Sequence, residues 1–387
     1  MLSIDEARAA ILAKVGSPMA EEVALAAAHG RVLAEDVAAA HDVPPFANSA
    51  MDGYAVRGSG PEFAVVGESR AGTPFAGTLA EGQAVTISTG AALPGGADAV
   101  VPVERVTTTG GLVAAEGAIA PGDHVRRPGE DLRAGEVVLR AGTRLSPPAL
   151  GVAAGAGRGA LMVARRPRVA IVATGDELVP AGAPLGPGQI HDSNALALQA
   201  LAEIAGAEVV ASTRAPDDRE RTVAALRDAL EGADLLLVSG GVSVGPHDHV
   251  KPALEELGVD EVFWRVALRP GKPTWFGTRG DTLVIGLPGN PVSALVTFAL
   301  FARPALAALQ GAAPASRGRV TLGSPIARHP DRDEAVRVRL DEDGRVHPTG
   351  PQGSHVLSSM LGADGLAIVP RGSGTLEAGA TVELEVL

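Results

Sequence analysis

Apolar and polar positions change period several times along the chain. Ser3-Ile-Asp-Glu6 is a capping-box pattern, in which the serine hydroxyl accepts a backbone N–H and the glutamate reaches back. An amphipathic helix is therefore expected through about Val15. From about 46 to 140 the pattern breaks into short apolar runs, FAVVG, QAVTIST, DAVVPVERV and EVVLRAG, parted by glycine-rich turns, which predicts a β domain. Ser146-Pro-Pro148 then opens a second helix, with the serine as N-cap and Pro147 in the first turn, where a missing N–H costs nothing.

From 168 the period alternates. Strand-like runs RVAIVAT, EVVAS, DLLLVS, EVFWRV and TLVIGL are interleaved with helical segments SNALALQALAEIAG and DDRERTVAALRDALEG, a short helix at about 250–257, and a helix from Pro291. In the second of these Asp217 and Glu220 are spaced as a capping pair. Strands separated by helices predict βαβ units and a mainly parallel sheet, and fully apolar strands fit a sheet covered on both faces. After about 314 the β pattern returns in RVTLGSPIA, EAVRVRL, GRVHPTG, GLAIVP and TVELEVL. The expected fold is a multidomain α/β plus β protein. Residues 1–45 and 141–167 form an N-terminal helical and linking domain, 46–140 an inserted β domain, 168–313 the α/β domain and 314–387 a small barrel-like β domain.

Composition narrows the chemistry. A chain of 387 residues exceeds a typical single core, which agrees with several domains. With no cysteine, thiol nucleophiles, zinc–thiolate sites and iron–sulfur clusters are excluded. A formal charge of −12 and only seven Phe, two Trp and one Tyr, Tyr54, argue against a general nucleic-acid binder, which needs a basic surface and stacking platforms. The start, MLSIDEARAAILAKV, carries acids early and does not read as a secretory signal, and no run approaches the roughly 18 apolar residues that span a bilayer. A soluble, cytoplasmic protein with no membrane partner is expected.

In open α/β sheets ligands sit beyond the carboxyl ends of the strands. Four loops there share a chemistry: Thr174-Gly-Asp-Glu177, Ser239-Gly240-Gly241-Val-Ser243 with Asp248, Arg269-Pro-Gly-Lys272, and Leu287-Pro288-Gly-Asn-Pro291-Val-Ser293. Glycines and hydroxyls with free N–H groups suit an oxyanion, fixed cations add charge-assisted bonds, and adjacent carboxylates suit Mg²⁺ shared with phosphate. Any one of these loops taken alone also reads as a tight turn. His247 and His249 flank Asp248, but alternating residues point apart and a zinc site gathers three or four ligands. Gly241-Val-Ser-Val-Gly245 fits the G-x-S-x-G nucleophile elbow, yet the strand ends near Ser239 and Pro246 interrupts any immediate helix. His329 and His347, the distant candidate bases for such a serine, lie in the C-terminal β domain. There is no Walker A pattern, and GAGRG at 155–159 precedes a strand instead of following one.

The segment Pro45-Phe-Ala-Asn-Ser-Ala-Met-Asp-Gly-Tyr-Ala55, with TGAALPGGADAVV, RRPGEDL, ATGDEL, SGGVSVG, RPGKP and GLPGNPVS in that order, resembles the molybdopterin molybdenumtransferase family of molybdenum cofactor biosynthesis. The carboxy-terminal domain of gephyrin is similar. The resemblance runs nearly end to end. It implies a homodimer whose active site lies between the α/β domain of one chain, there a molybdopterin-binding domain, and the N-terminal β region of its partner. It further implies conversion of adenylylated molybdopterin and molybdate into molybdenum cofactor and AMP with Mg²⁺, and the molybdopterin adenylyltransferase as a possible delivery partner.

Carried over by motif, Asp52, Thr89 and Asp131 are the catalytic candidates of the N-terminal region, although Asp52 alone also reads as an N–H acceptor in a turn. Glu177 and Asp248 are the catalytic and metal candidates. Asp217 and Asp218 share a family-like pair, and Asp217 reads rather as the helix cap. Gly240 and Gly241 are read as substrate-binding, and for molybdate the resemblance implies Ser243, Arg269, Lys272 and Ser293, with Pro288 and Pro291 shaping the GLPGNP loop. Arg337 and Ser359 join them from the C-terminal domain. The alternation in RVRL equally fits Arg337 on a solvated strand face. Two departures stand out: Arg269 replaces a common lysine, which keeps the charge but changes the hydrogen-bonding fork and leaves tungstate open beside molybdate, and Gly362-Ala-Asp-Gly365 replaces a pattern in which asparagine is usual. An adenylyltransferase with a related SGG loop and a gephyrin-like non-catalytic scaffold are the competing expectations. The flanking domains argue against the first and the retained site residues against the second.

Overall fold

In the computed structural model, which describes residues 1–242, 248–313 and 317–387, alternate residues of the strand Arg168–Thr174 enter different cores. Val169 and Ile171 join one cluster, Ala170 and Val172 another. A strand buried on both sides needs cover on both faces of its sheet. One face is covered by the helices Asn194–Ile204 and Ile4–Leu12 and the long helix from Pro291, the other by Arg219–Leu230 and Val250–Glu256.

The sheet has six strands in the order Glu208–Ala215, Arg168–Thr174, Leu235–Ser239, Thr282–Leu287, Trp275–Arg279, Asp260–Trp264. The first four are parallel; Trp275–Arg279 runs antiparallel to both of its neighbours. The apolar pattern alone does not reveal that reversed strand, although its signal is present. Gly280, at φ +58°, and Asp281 make a two-residue connection between the paired residues Arg279 and Thr282, the hairpin chemistry in which glycine supplies a left-handed residue. The reversal places the RPGK loop, which precedes Trp275, at the same sheet edge as the loops that follow the parallel strands.

The helix from Pro291 continues as Pro291–Thr297, a π-helical turn Phe298–Ala302, and Arg303–Leu309. Pro304 lacks the N–H that would bond one turn back, and the widened turn before it relieves the clash of its ring with that carbonyl. Contrary to the sequence expectation, this 19-residue helix is long and apolar enough to cross a membrane, but 72% of an 18-residue stretch of it is buried. Phe298, Leu300 and Phe301 fill the larger core.

The chain folds into two compact units. One comprises Met1–Glu21, Gly30–Ala34 and Val163–Leu387; it holds the α/β sheet and the C-terminal β region. The latter is a closed barrel: Asp333–Leu340, Arg345–Pro348, Gly318–Leu322, Thr381–Val386 and Gly365–Val369 pair in turn, and the last returns to the first. The other unit, Glu22–His29 and Glu35–Met162, contains a mixed six-stranded sheet with Val56, Phe63 and Val101 in its core. Its hairpin between Thr109 and Leu112 turns on Gly110-Gly111.

The caps follow the sequence in two cases and correct it in a third. Ser3 and Glu6 form the full capping box, although the helix stops at Leu12, and Ser146 caps Pro147–Gly155. At the third site Asp218, not Asp217, is the cap: its carboxylate accepts from Arg221 N at 2.9 Å, while Asp217 donates its own N–H to Asp176 Oδ1 at 3.1 Å. Asp218→Ala is therefore expected to cost about 1 kcal/mol in urea denaturation, the usual worth of a cap, and Asp217→Ala clearly less.

Candidate functional site

Three parallel strands end side by side, since Ala173 pairs with Ser239 and Ser239 with Leu287, and Trp275 pairs with Gly286 at that edge. The loops after them are packed backbone to backbone. Gly240 (φ +93°) and Gly241 (φ +66°) lie in the left-handed region, and a Cβ on Gly240 would come within 2.8 Å of Thr174 Oγ1 and 2.9 Å of Thr174 O. A Cβ on Gly241 would strike Val250, and one on Gly289 would touch the Cα of Gly240 at 3.6 Å. Gly240 N donates to Leu287 O at 3.1 Å. Only glycine fits the first two positions, and the pair presses directly on the loops from both neighbouring strands.

Carboxylates border this surface. Glu177 is exposed, and its carboxylate folds back over Gly175 so closely that a Cβ there would collide with it. Asp248 is half-buried, two residues before the helix Val250–Glu256. Ser243 and His247 lie outside the described residues. The strand before them ends at Ser239 and the next described helix begins at Val250, which is not the immediate strand–turn–helix of a nucleophile elbow. His347, a candidate base in that reading, is engaged with Ser324 Oγ at 2.7 Å and Asp341 Oδ2 at 2.8 Å. Among the described residues no three His, Asp or Glu side chains gather closely enough to hold a metal ion alone.

A second group of residues joins the α/β sheet to the barrel. Arg269 and Lys272 are exposed; Arg269 Nη1 pairs with Glu334 Oε1 at 3.0 Å, and Leu268–Arg269 runs parallel to Asp333–Glu334. Gly271 (φ +124°) leaves no room for a side chain beside Thr297 and Leu268. Pro288 is buried and Ser293 is 3% exposed, in the first turn of the helix that Pro291 opens. Asn290 Nδ2 donates to Ser354 Oγ at 3.0 Å, and Val292 N to Ser354 O at 3.1 Å.

Arg337 overturns the solvated-face alternative, because it is 0% exposed. Its Nε donates to Ser359 Oγ at 3.0 Å and its Nη2 to Pro351 O at 3.1 Å and Gly353 O at 3.3 Å. Nη1 is buried without a partner among the described residues, and burial pulls the guanidinium below its usual basicity. Among the described residues no carboxylate pairs with it. Gly353 is chain neighbour to Ser354, so Arg337, Ser359 and the LPGNP loop are linked through one short segment.

In the other unit the segments around Asp52, Thr89 and Asp131 also converge. Ser49 N donates to Ala91 O at 3.0 Å, Gly90 N to Ser49 O at 2.8 Å, and Asn48 pairs with Arg126. Asp52 is exposed, and its Oδ1 accepts from Thr89 N at 2.7 Å. Thr89 is exposed too, as is Asp131, whose N–H donates to Val43 O at 2.9 Å.

Sequence reasoning misses two residues of the α/β site. Glu334 is the partner of Arg269, and Asn194 bonds both the SGG and LPGN loops. Glu334 reads as an ordinary strand residue, and Asn194 as the start of a helix.

Anion-suited loops at the edge of a mainly parallel sheet, tied to a closed barrel that contributes a buried cation, define an α/β ligand-binding protein of the molybdenum cofactor class. Residues 2–157 match the MoeA N-terminal region (domain I and II), 170–308 the probable molybdopterin binding domain, and 319–387 the MoeA C-terminal region (domain IV). The molybdopterin molybdenumtransferase of Haemophilus influenzae is 37% identical over 100% of this chain and 98% of its own length. Molybdopterin molybdenumtransferase 2 of Mycobacterium tuberculosis is 40% identical over 94% of each. The crystal structure of the molybdopterin biosynthesis moeA protein from Pyrococcus horikoshii OT3 superposes with a TM-score of 0.86 at 30% identity, covering 100% of both chains. The chain belongs to the molybdopterin molybdenumtransferase family.

The packing of the SGG loop is directly testable. Gly240→Ala combines a left-handed alanine with a clash against Thr174, and is expected to destabilise by about 2–4 kcal/mol in urea denaturation. Adding Thr174→Ala relieves the clash with the hydroxyl but not the backbone term, so the double variant should recover only part of the loss.

Proposed function

We propose that the protein inserts molybdenum from molybdate into adenylylated molybdopterin with release of AMP, as a cytoplasmic homodimer in which Asp52, Thr89 and Asp131 of one chain serve the α/β site of the other. The observation that carries this reading is Arg337, a fully buried guanidinium with one unpartnered nitrogen and no carboxylate partner among the described residues. A buried cation in that state favours an anion, and its neighbours Ser359 and the LPGNP loop offer the hydroxyls and backbone that an oxyanion requires.

The chain's residues divide the work. Gly240 and Gly241 admit the phosphates of the substrate close to the backbone, and Arg269 and Lys272 supply positive charge at that edge. Arg337, Ser359, Ser293 and Ser243 hold the molybdate. Glu177 and Asp248 provide hard carboxylate oxygens, the donor type that suits Mg²⁺. Because the described residues form no protein-only cage, the ion would share its sphere with substrate phosphates and water, as Mg²⁺ commonly does. When bound, Mg²⁺ would polarise the phosphoanhydride.

Incubation with adenylylated molybdopterin and molybdate or tungstate, followed by quantification of AMP and protein-bound metal, tests the reading. AMP and loaded cofactor are expected, and Glu177→Ala and Asp248→Ala, shown folded, should slow AMP release by at least the roughly 10–100-fold that losing even an outer-shell partner of a metal site costs. Absence of both products would reject it, and formation of adenylylated molybdopterin from ATP would favour an adenylyltransferase instead. Independently, molybdate at about a hundredfold excess over its Kd is expected to stabilise the wild type by roughly 2.7 kcal/mol, and Arg337→Met to abolish that gain.

A further inference from the structure

The SGG and LPGN loops leave different strands, yet one side chain binds both. Asn194 Nδ2 donates to Ser239 Oγ at 2.9 Å and to Gly289 O at 2.7 Å. A carbonyl only accepts hydrogen bonds, so the atom facing Gly289 O must be the amide nitrogen and not the amide oxygen. Ser239 is 2% exposed and ends its strand directly before Gly240, while Gly289 lies between Pro288 and Asn290. Asn194 is itself fixed from behind, because Asp192 Oδ1 accepts from Ala195 N at 3.0 Å in the first turn of the helix Asn194–Ile204.

We infer that Asn194 is a positioning residue that locks the SGG and LPGN loops into one cradle for the phosphate-bearing part of the substrate. This rests on the function proposed above. The two loops are joined at the strand ends by Gly240 N, which donates to Leu287 O at 3.1 Å, and a Cβ on Gly289 would stand 3.6 Å from the Gly240 Cα. The donor shared by Ser239 and Gly289 O extends that tie past Leu287 to the glycine itself. Oxyanion recognition by backbone N–H groups depends on spacing at the scale of tenths of an ångström, so loss of the shared donor weakens phosphate binding without removing any group that touches the ligand. The molybdate side is held differently. Asn290 and Val292 tie the far end of the LPGNP loop to Ser354, and Arg337 sits beyond it in the barrel.

The distinguishing variants are Asn194→Leu, neutral and of similar size, which offers neither bond, and Asn194→Asp, which is nearly isosteric but adds a negative charge. Its carboxylate still accepts from the Ser239 hydroxyl but leaves Gly289 O without a donor. Ser239→Ala does the reverse. With the full chain, AMP release is measured while adenylylated molybdopterin and molybdate are varied in turn, alongside AMP affinity by calorimetry and the thermal midpoint. Asn194→Leu is expected to raise the KM for adenylylated molybdopterin and the Kd for AMP by about tenfold, the scale of a lost hydrogen bond, with the KM for molybdate within about twofold of wild type, and Asn194→Asp by more, because its carboxylate also faces Gly289 O. Ser239→Ala should lose less than Asn194→Asp.

Unchanged AMP affinity and KM in folded Asn194→Leu would overturn the inference. So would an equal loss toward both substrates that tracks a fall in thermal midpoint, which is the mark of a merely structural contact. A wild type that binds AMP but does not turn over counts against the proposed reaction and leaves the AMP affinities to decide the role of Asn194. A wild type that does neither removes the phosphate ligand, and the inference with it.

Discussion

A buried positive charge that no described residue neutralises governs how the rest of this site is built. Removing an ion from water costs several kcal/mol even after relaxation, and proteins normally offset that with an opposite charge. The same unit shows the normal solution at Glu385, which is 3% exposed and pairs with Arg303 at 2.6 Å and Arg317 at 3.1 Å. Among the described residues Arg337 receives neutral acceptors only, and its Nη1 receives none. Such an arrangement persists because the strand, the barrel and the LPGNP loop over-determine it. It makes sense physically if an anion completes it.

The geometry around that charge follows from the sheet. Parallel strands end in register, so their following loops share one edge, and the reversed strand Trp275–Arg279 brings the RPGK loop to the same edge from the opposite chain direction. Glycines at 240, 241 and 271 allow the loops to pack against Thr174, Val250 and Thr297 with no side chain between them. Arg269 is held to Glu334, three residues before Arg337 on the same barrel strand. The two cations thus belong to one mechanical element, and a ligand that draws on one is positioned relative to the other.

Much of this was legible in the amino-acid sequence, and the gaps have physical causes. Apolar runs and helical periods locate the parallel strands because both faces of the sheet are covered. Arg168–Thr174 and Thr282–Leu287 appear with their observed bounds. The reversed strand is hidden because its run, Trp275 to Arg279, is short, holds a glycine and follows the RPGK loop closely, and only the Gly280-Asp281 turn marks it as half of a hairpin. The cap falls on Asp218 instead of Asp217 because either aspartate satisfies the spacing to the helix, and only backbone direction separates them.

The burial of Arg337, unlike its candidacy for the site, escapes the strand pattern for a different reason. Val336 and Val338 point into the barrel core, which leaves Arg337 on the face shared with Ala335, and that face is buried by a separate part of the chain. Alternation reports which residues share a face and not what covers it. Asn194 is hidden likewise, since its two partners lie 45 and 95 residues away. The most direct test of an anion at Arg337 is anomalous diffraction at the molybdenum edge from crystals of the protein soaked in molybdate. A peak is expected within hydrogen-bonding distance of Arg337 Nη1 and beside Ser359. A peak confined to other residues, or an Arg337 that stays unpartnered at saturating molybdate, would contradict it.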